Sequence, residues 1–423
     1  MRLDDLTGRR VVLLGLGADV LAAVPDVLAA RPSEVLVVEE GGAGVPPELA
    51  AQGLRGVALA DGAAAAEVFL RSPGFPRYQP ELQGALARGA RMTTPIDLWW
   101  GTFGAGRTVV GITGTKGKST VTELVGSLAV AAGLRVGVAG NVGVPVFDPG
   151  WDRDAPVVVL EVSSYQAADL HQVPDLAVLT YLSEDHLTWH GGVERYVADK
   201  LRLLRNESGT AGRILVPASG GRVDQVLAEH GLAAEVVRPP FGPASVPTHR
   251  LQNAALAAAV LAGLGAPELS DADVVDAARS SLPGRLDACP GPAGVLCLDD
   301  ALASNPSAAA AGLAWVRSLD RPTVVLLGGA DRGVDPGPLT EEVGRWAPGL
   351  LSAVALPDSG ADLAGRIGVD LLAAVGDVAG GVRTALGMLP ADGVVLFSPG
   401  APTPAPVGTW KTRSQQFREA LLV

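Results

Sequence analysis

The stretch of the chain richest in chemical groups is a glycine loop that also carries lysine and hydroxyl side chains. It reads TGTKGKST over residues 113–120, after a strand-like run and before helical spacing. Glycines let backbone N–H groups turn toward phosphate oxygens, and a helix N-terminus adds positive potential. Lys118 can neutralise the β- and γ-phosphates, and a hydroxyl of Ser119 or Thr120 can ligate Mg²⁺. The loop predicts an ATP site, although two residues separate its first two glycines where the general P-loop has four.

Acidic, histidine and lysine side chains follow this loop in an order that suits phosphoryl transfer. Glu161 ends an apolar run, and a carboxylate at the end of a strand suits a Mg²⁺ ligand. His186 follows another strand-like run, and Lys200 lies fourteen residues further on. Taken singly, such a histidine or lysine is more often structural or solvated. Their joint occurrence behind a phosphate loop favours catalytic roles.

A second glycine turn stands near the N-terminus. It reads GLGADV over residues 15–20, between an apolar run and a helical segment. Because Val20 replaces the third glycine of the dinucleotide fingerprint, an NAD site is disfavoured. A nucleotide diphosphate sugar fits this turn at least as well, with Glu39 near its ribose or base. Alternatively, the turn has a purely structural role. Ser72 ends a later apolar run, where its hydroxyl can contact a phosphate or belong to a plain loop.

Strand-like and helix-like runs alternate along the whole chain, which is typical of an α/β fold with parallel sheets. At about 150 residues per domain, the 423 residues predict three domains, each large enough to bury a core. We place a Rossmann-like N-terminal domain at 1–102, a central P-loop domain at 103–281 and a Rossmann-like C-terminal domain at 282–423. Residues 101–107 are predicted to form a linker.

Composition and charge exclude several classes of protein. With 48% hydrophobic and 18% charged residues the chain is globular, and no apolar run approaches the roughly 20 residues of a membrane span. The formal charge of −12 argues against a nucleic-acid partner. Cys289 and Cys297 are too few for a zinc cluster or a disulfide framework. The opening residues lack a signal peptide's apolar stretch, so we expect a cytoplasmic protein with no membrane partner.

These motifs together resemble the Mur ligases in order and spacing. The resemblance spans essentially the whole chain, and the matching stretches are GTKGKST at 114–120, GNVG at 140–143, EVSSYQ at 161–166, SEDHLTWH at 183–190, ADK at 198–200, Asn253, LPGR at 282–285 and Asp300. The pattern is most similar to the MurD type, which joins glutamate to UDP-N-acetylmuramoyl-L-alanine in peptidoglycan synthesis. It implies an ATP- and Mg²⁺-dependent ligase that forms an amide bond and releases ADP and phosphate.

The resemblance also implies roles for individual residues. The catalytic group is Lys118, Glu161, His186 and Lys200. The metal ligands are Ser119, Glu161, His186 and Lys200, the last as a carbamate, which requires a neutral amine in a desolvated site. The ATP contacts are Gly114, Thr115, Lys116, Gly117, Lys118, Ser119, Thr120, Asn253, Arg285 and Asp300. The UDP-substrate contacts are Gly15, Leu16, Gly17, Ala18, Asp19, Glu39 and Ser72, with Asn141 and His186 on the muramoyl side.

The glutamate pocket departs from the MurD-type pattern. Leu302 and Arg332 stand where that pattern has lysines, Thr403 where it has a serine, and Trp410 where it has a phenylalanine. One positive charge is lost and the size of the side chains changes. Such substitutions are not conservative, so they do not suit a pocket that keeps D-glutamate as its substrate. We therefore favour a related ligase that adds L-glutamate to the same nucleotide precursor, followed by a separate epimerase.

Three alternatives stay open. The chain can be an ordinary D-glutamate-adding ligase, a Mur-like amide ligase of specialised metabolism, or an ATP-binding module without catalysis. The joint presence of Glu161, His186 and Lys200 argues against the last. In each enzymatic case the substrates are small molecules, and a substrate carboxylate is activated by the γ-phosphate of ATP.

Overall fold

The computed structural model describes residues 1–39, 44–141, 144–218, 221–243, 246–279, 284–331 and 333–422. The chain forms two compact units, one of residues 1–241 and 248–277, the other of residues 242–247 and 278–423. Both are built from mainly parallel strands with helices between them, which confirms the predicted α/β class. No helix within the described ranges is long and apolar enough to cross a membrane.

Within the described residues, the larger unit contains two parallel sheets and a short antiparallel pair of strands, and its N-terminal residues form the first sheet. After a 3₁₀ turn at Leu3–Leu6, the elements are β1 (Arg10–Leu14), α1 (Ala18–Ala29), β2 (Glu34–Val38), α2 (Pro47–Ala50), β3 (Arg55–Gly56), α3 (Leu59–Ala65), β4 (Val68–Arg71), α4 (Pro80–Ala87), β5 (Arg91–Thr93) and α5 (Pro95–Phe103). The strands are parallel in the order β3-β2-β1-β4-β5. The chain order reverses between β1 and β4, and the crevice at such a point is where open α/β sheets bind ligands. Gly15 and Ser72 directly follow these two strands.

The predicted linker at 101–107 is wrong at its start, because α5 continues to Phe103. Thr94 caps this helix by accepting a hydrogen bond from a backbone N–H, and Pro95 suits its first turn. Trp99 is fully buried and its ring centroid lies 6.1 Å from that of Phe103. Apolar packing of the aromatic side chains therefore extends the helix into the first residues of the predicted linker, whose glycines suggested a loop.

The second sheet of the larger unit carries the glycine loop. Its elements are β6 (Thr108–Thr113), α6 (Lys118–Ala131), β7 (Val136–Gly140), β8 (Val157–Glu161), α7 (Ser164–Ala167), β9 (Leu176–Leu179), α8 (Leu187–His190), α9 (Val193–Leu201), β10 (Arg205–Asn206), β11 (Gly209–Thr210), β12 (Arg213–Pro217), α10 (Val223–Glu229), β13 (Glu235–Val237), α11 (Thr248–Gly263) and α12 (Asp271–Arg279). The parallel order is β13-β12-β9-β6-β8-β7, with β10 and β11 forming a separate antiparallel pair.

Strand β6 lies between β9 and β8. The carboxyl ends of parallel neighbours meet at one edge of a sheet, so the loop after β6, Glu161 at the end of β8 and the chain after β9 come together there. Buried valine and leucine side chains fill these strands, as expected for strands covered on both faces. The sheet thus positions the candidate catalytic groups that are far apart in the sequence.

The smaller unit contains the third sheet. Its elements are β14 (Asp287–Cys289), β15 (Leu296–Asp299), α13 (Pro306–Arg317), β16 (Thr323–Leu327), α14 (Gly337–Val343), β17 (Leu351–Ala355), α15 (Gly360–Ile367), β18 (Asp370–Ala374), α16 (Val378–Met388), β19 (Val394–Phe397), a 3₁₀ turn at Ala405–Val407 and α17 (Trp410–Ala420). The order is β14-β15-β19-β16-β17-β18, and β14 alone of these strands runs antiparallel to its neighbour. Asp300 and Ser398 follow the adjacent strands β15 and β19.

Candidate active site

The glycine loop has a backbone that only glycine adopts without strain. Gly114 has a φ of +150°, and a Cβ added to it would lie 1.9 Å from the hydroxyl oxygen of Thr180. Gly117 has a φ of +88° at the start of α6, and a Cβ there would lie 2.8 Å from the side-chain oxygen of Asn253. The two glycines therefore allow the loop to pack tightly against β9 and α11. Asn253, predicted as a nucleotide contact, is next to this loop.

Two lysines converge on this loop. Lys118 Nζ donates to the carbonyl oxygen of Gly114 at 2.9 Å and to that of Thr115 at 3.3 Å. Lys200 Nζ donates to the same Gly114 oxygen at 3.0 Å. The first lysine begins α6 and the second lies on α9. The fold thus brings together the two lysines that sequence analysis placed in the catalytic group.

Lys200 lies in an environment that favours a neutral amine. Its side chain is only 2% exposed, and this burial is the main cause that lowers its pKa well below the usual value. The positive charge of Lys118 lowers the pKa further, while Asp185 and Glu161 act in the opposite direction. A lysine must lose its proton before it can react with CO₂, so this environment fits the predicted carbamate.

Glu161 presents an oxygen atom suited to a metal ion. The residue is fully buried, and its Oε1 accepts a hydrogen bond of 2.7 Å from Asn141 Nδ2. Its Oε2 is buried and has no hydrogen-bond partner among the described residues. Such an atom is costly unless a ligand pairs with it, and Mg²⁺ prefers oxygen ligands. In the described part of the chain no group of three or more His, Cys, Asp or Glu side chains could hold a metal ion.

His186 lies beside the same group of charges. Its φ of +54° is left-handed, and its ring centroid lies 4.8 Å from that of Tyr165. Burial is the main cause that lowers its pKa, and the positive charges of Lys118 and Lys200 also lower it, whereas Asp185 raises it. A neutral imidazole can act as a metal ligand. Its position is therefore compatible with the predicted role.

Hydroxyl groups hold the remainder of the loop. Thr115 Oγ1 donates to the carbonyl oxygen of Ser183 at 2.9 Å and lies 2.6 Å from the phenol oxygen of Tyr196. Thr180 Oγ1 donates to the carbonyl oxygen of Lys116 at 2.6 Å. These bonds tie the loop to the segment after β9. Two further predicted residues, Ser119 and Thr120, are half-buried on the first turn of α6.

The Lys116 ammonium forms another contact near the loop. Its Nζ lies 3.6 Å from a carboxylate oxygen of Asp185. Asp185 precedes His186, so this ion pair connects the loop to the histidine segment. Sequence analysis placed Lys116 in the ATP site without identifying this partner.

The predicted UDP site lies at the switch point of the first sheet. A Cβ on Gly17 would lie 2.4 Å from the hydroxyl oxygen of Ser72, so the turn GLGAD at 15–19, which includes Leu16 and Ala18, packs against the loop after β4. Asp19 accepts a hydrogen bond of 3.1 Å from Gln166 Nε2, and burial raises the pKa of its carboxyl. The Oε1 atom of Glu39 is buried, and among the residues that the structure describes it has no hydrogen-bond partner. The sequence-predicted residues are thus adjacent, and the turn also contacts the second sheet.

Asp300 in the smaller unit is a buried carboxyl group at the ends of β15 and β19. Its Oδ2 accepts from Ser398 Oγ at 2.8 Å, and its Oδ1 accepts from the backbone N–H of Leu286 at 3.2 Å. Burial raises its pKa to about 7, although these hydrogen bonds and the positive charge of Arg285 oppose the shift. Two predicted nucleotide contacts, Arg285 and Asp300, therefore lie close to one another.

Two of the residues predicted for glutamate, Leu302 and Trp410, lie beside Gly284 in the smaller unit. A Cβ on Gly284 would lie 2.7 Å from the indole ring of Trp410 and 3.6 Å from Leu302 Cγ, so these side chains meet above the glycine. Thr403 follows Pro402, whose carbonyl oxygen accepts from the N–H of Ala330 at 2.9 Å. Arg332 lies outside the described residues.

Two buried polar groups of the larger unit were not predicted from the sequence. Arg71, fully buried, donates to Asp169 at 2.8 Å and to the carbonyl oxygen of Tyr165 at 2.6 Å, which joins the first sheet to the second. His190 is also fully buried and bonds to Asp199 and Ser164. His190 and Asp199 stand inside the matched motifs SEDHLTWH and ADK, so their place in these motifs was the available signal.

Comparisons with known proteins agree with this geometry. The Mur ligase middle domain matches residues 112–231. A UDP-N-acetylmuramoyl-L-alanine–L-glutamate ligase from a Micromonospora species is 36% identical over 100% of this chain and 98% of its own. The ligase of the same name from Salinispora tropica is 34% identical over 100% and 99%, and that from Xanthomonas euvesicatoria 31% over 99% and 96%.

Solved structures support the fold. MurF ligase from Thermotoga maritima, in complex with ADP, has a TM-score of 0.58 at 15% identity and covers 99% of this chain and 98% of its own. FolC from E. coli, in complex with DHPP and ADP, has a TM-score of 0.52 at 19% identity and covers 76% and 91%. At such identities the likeness shows the architecture alone. The full-length relatives decide the family: the chain is a ligase that belongs to the Mur ligase family.

Proposed function

We propose that this ligase adds L-glutamate to the L-alanyl carboxylate of UDP-N-acetylmuramoyl-L-alanine, with ATP as the phosphate donor. The observation that carries the proposal is the convergence of Lys118 and Lys200 on the carbonyl oxygen of Gly114, beside the buried Glu161. A phosphate loop, a lysine of depressed pKa and a buried carboxylate are the groups that activation of a carboxylate by ATP needs. The substrate is inferred from the full-length relatives, which are UDP-N-acetylmuramoyl-L-alanine–L-glutamate ligases.

The proposed activation of Lys200 is a covalent step on its own amine. The neutral amine attacks CO₂, the new N–C bond forms, and one proton leaves to solvent, which leaves a carbamate of net charge −1. The step converts a buried base into an anion next to Glu161. The carbamate also attracts the Lys118 ammonium, whereas the neutral amine carries no charge to do so.

Ser119, Glu161, His186 and the Lys200 carbamate would hold Mg²⁺ in this proposal. Glu161 Oε2, for which the described part of the chain offers no hydrogen-bond partner, is the observation that supports a fit to a metal. Bound Mg²⁺ offsets negative charge on the phosphates and on the reacting carboxylate. Lys118 supplies positive charge at the same phosphates, and the N–H groups of the glycine loop orient them.

The reaction divides among the three predicted domains. Residues 1–102 hold the uridine diphosphate at GLGAD, Glu39 and Ser72, and residues 103–281 hold ATP at the glycine loop and Asn253. The alanyl carboxylate attacks the γ-phosphorus, the bond to ADP breaks, and an acyl phosphate forms. The amine of glutamate, delivered by residues 282–423, then attacks the acyl carbon, and phosphate and a proton leave. Arg285 and Asp300 complete the nucleotide contacts, and exclusion of water protects the acyl phosphate from hydrolysis.

The altered glutamate pocket supports the L-isomer. Leu302 and Trp410 meet above Gly284, so a hydrophobic wall stands where the MurD-type pattern has a lysine and a phenylalanine. Thr403 and Arg332 are proposed to contact the amino acid beside this wall. Inversion at the α-carbon moves the side-chain carboxylate, so a pocket for the other isomer must place its charges elsewhere.

The decisive experiment supplies D- and L-glutamate separately. The purified chain is incubated with ATP, Mg²⁺ and UDP-N-acetylmuramoyl-L-alanine, and the product is resolved by mass spectrometry and chiral analysis. We expect ADP release and an L-glutamyl product. Ligation of D-glutamate alone would make the chain an ordinary MurD-type enzyme, activity with other carboxylates only would indicate specialised metabolism, and no substrate-dependent ADP release would indicate a non-catalytic module.

A further inference from the structure

A buried chain of polar side chains lies directly behind the candidate catalytic group. It consists of Tyr78, Asp199, His190 and Ser164, which we call the His190 network. Tyr78 donates its hydroxyl to Asp199 at 2.6 Å, His190 Nδ1 lies 2.6 Å from Asp199 Oδ2, and His190 Nε2 lies 3.0 Å from Ser164 Oγ. None of the four has a role in the proposed reaction.

The hydrogen bonds use both ring nitrogens of His190. A carboxylate only accepts, so Asp199 takes one bond from the phenol and one from His190 Nδ1–H. The other ring nitrogen of His190 pairs with the hydroxyl of Ser164. Both nitrogens of the fully buried imidazole are thereby satisfied, and bonds to a charged partner are stronger than neutral ones. One orientation of the ring is therefore strongly preferred.

Each member of the network belongs to a segment that carries a candidate site residue. Ser164 is three residues after Glu161, His190 is four after His186, and Asp199 immediately precedes Lys200. Tyr78 follows β4 on the loop that begins with Ser72. The network therefore bonds together the segments that carry the carboxylate, the histidine, the lysine and the proposed substrate loop.

The aromatic ring of Tyr165 connects the network to His186. Tyr165 stacks on His190 with centroids 5.6 Å apart and an interplanar angle of 16°. On the same side chain, the His186 centroid lies 4.8 Å away. A change in the orientation of His190 is thus passed to His186 through one aromatic ring.

The bonding order Ser–His–Asp is also that of a nucleophilic triad. However, Ser164 is 3% exposed and His190 is fully buried, so no substrate carbonyl reaches the hydroxyl. The network has the hydrogen bonds of such a triad, but its serine is not accessible to a substrate. A positioning role agrees with the burial, whereas hydrolysis does not.

We infer that the His190 network is a positioning device that holds Glu161, His186 and Lys200 in their relative places for acyl-phosphate formation, an inference that rests on the proposed function. Displacement of reacting groups by about 1 Å can cost about a hundredfold in rate. Loss of the network should therefore reduce kcat, while the Michaelis constants for ATP and glutamate change little, because the network touches neither binding site.

The larger unit contains a matched control for this test. Asp97 is also fully buried, lies 3.1 Å from His171 Nδ1 and accepts from Thr93 Oγ1 at 2.8 Å, but it sits on α5 away from the candidate catalytic group. The variants D199N and D97N make the same chemical change at two buried aspartates, each paired with a histidine, which is buried for Asp199 and exposed for Asp97. Comparing them separates a loss of stability from a loss of alignment.

The experiment measures kcat, KM and thermal stability of wild type, D199N and D97N with L-glutamate. We expect both variants to lose stability, D199N to lose about thirtyfold or more in kcat with each KM within about threefold, and D97N to keep kcat within about threefold. Equal kcat in D199N and D97N would overturn the inference while an active wild type upholds the proposed function. An inactive wild type would instead refute the proposed function.

A second pair of variants decides the matter if D199N does not fold. In H190N the amide nitrogen takes the place of Nδ1 and keeps the bond to Asp199, whereas in H190Q the amide takes the place of Nε2 and keeps the bond to Ser164. The charged bond is the stronger one. We expect H190N to retain at least about fivefold more kcat than H190Q, and equal kcat in the two would overturn the inference.

Discussion

Lys118 and Lys200 donate hydrogen bonds to the same acceptor, the carbonyl oxygen of Gly114, over 2.9 and 3.0 Å. Two lysines on one oxygen repel each other if both are charged, and burial lowers the pKa of the lysine on α9 well below its usual value. The arrangement fits the proposal that Lys118 is the cation for phosphate and Lys200 the amine for CO₂. Each half of this division can be tested separately.

Lys118→Ala should abolish ligation while binding of the UDP substrate is retained. The ammonium offsets charge on the transferred phosphate, and loss of one such group typically costs about 100- to 1000-fold in rate. The uridine diphosphate is proposed to bind at the first sheet, which this substitution does not touch. Turnover and calorimetric binding of the UDP substrate are the two measurements. Arg135→Ala, which removes a cation from an exposed ion pair with Asp152, is the control. Loss of UDP-substrate binding in Lys118→Ala would contradict the division.

Lys200→Ala should lose most activity and regain part of it with acetate or formate. A small carboxylate can occupy the position of the carbamate and restore its negative charge. Lys200→Arg should stay inactive with or without these anions, because its guanidinium stays charged and cannot take up CO₂. Rates are compared with and without added anion at constant ionic strength. Full activity of Lys200→Arg would refute the carbamate.

Gly114→Ala should prevent formation of the native loop. An added Cβ would lie 1.9 Å from Thr180 Oγ1 at a φ of +150°. Gly133→Ala is the matched control, since that residue also has a positive φ, +76°, but no atom within 4 Å of an added Cβ. We expect the control to lose only about 1 kcal/mol of stability from backbone strain and to keep nucleotide affinity, measured with a fluorescent ATP analogue. Equal affinity in the two variants would show that the contact with Thr180 does not shape the loop.

The sequence predicts these local features well because they depend on neighbours along the chain. The mainly apolar runs at 157–161 and 323–327 form β8 and β16, because such short runs with turn residues at both ends favour buried strands. The conformation of the glycine loop likewise depends on residues that are close in the sequence. Gly114 and Lys118 are four residues apart, so their hydrogen bond follows from the start of one helix.

Contacts between distant segments could not be predicted in this way. Tyr78 pairs with Asp199 across 121 residues, and Arg71 pairs with Asp169 across 98. Hydrophobic periodicity shows that a residue is buried but does not identify its partner. The prediction of a linker at 101–107 was wrong at its start for a related reason. The glycines of this segment suggested a loop, whereas aromatic packing keeps its first residues in α5.

Asp300→Asn should change how stability depends on pH. The pKa of the buried carboxyl is raised to about 7, whereas in the unfolded chain it is near 4. Between these values the folded state keeps a proton that the unfolded state has lost, so wild-type stability falls as pH rises from about 4 to 7. Relative to Asp300→Asn, wild type should lose about 2 kcal/mol of unfolding free energy between pH 5 and pH 7.5. Urea unfolding of both proteins measures this difference, and a difference independent of pH would show that Asp300 does not retain its proton.

The isomer preference is the sharpest test of the glutamate pocket, which rests on Leu302, Arg332, Thr403 and Trp410. Inverting the α-carbon while the amine still points at the acyl phosphate moves the side-chain carboxylate, so the residues that hold this carboxylate must change while the ATP site need not. A carboxylate placed against the wrong group costs about 2–5 kcal/mol. We expect kcat/KM for L-glutamate to exceed that for D-glutamate by at least about tenfold, which corresponds to about 1.4 kcal/mol of transition-state binding. Both constants are measured with saturating ATP and UDP-N-acetylmuramoyl-L-alanine. Equal constants, or a preference for D-glutamate, would mean that the four altered positions do not set the isomer.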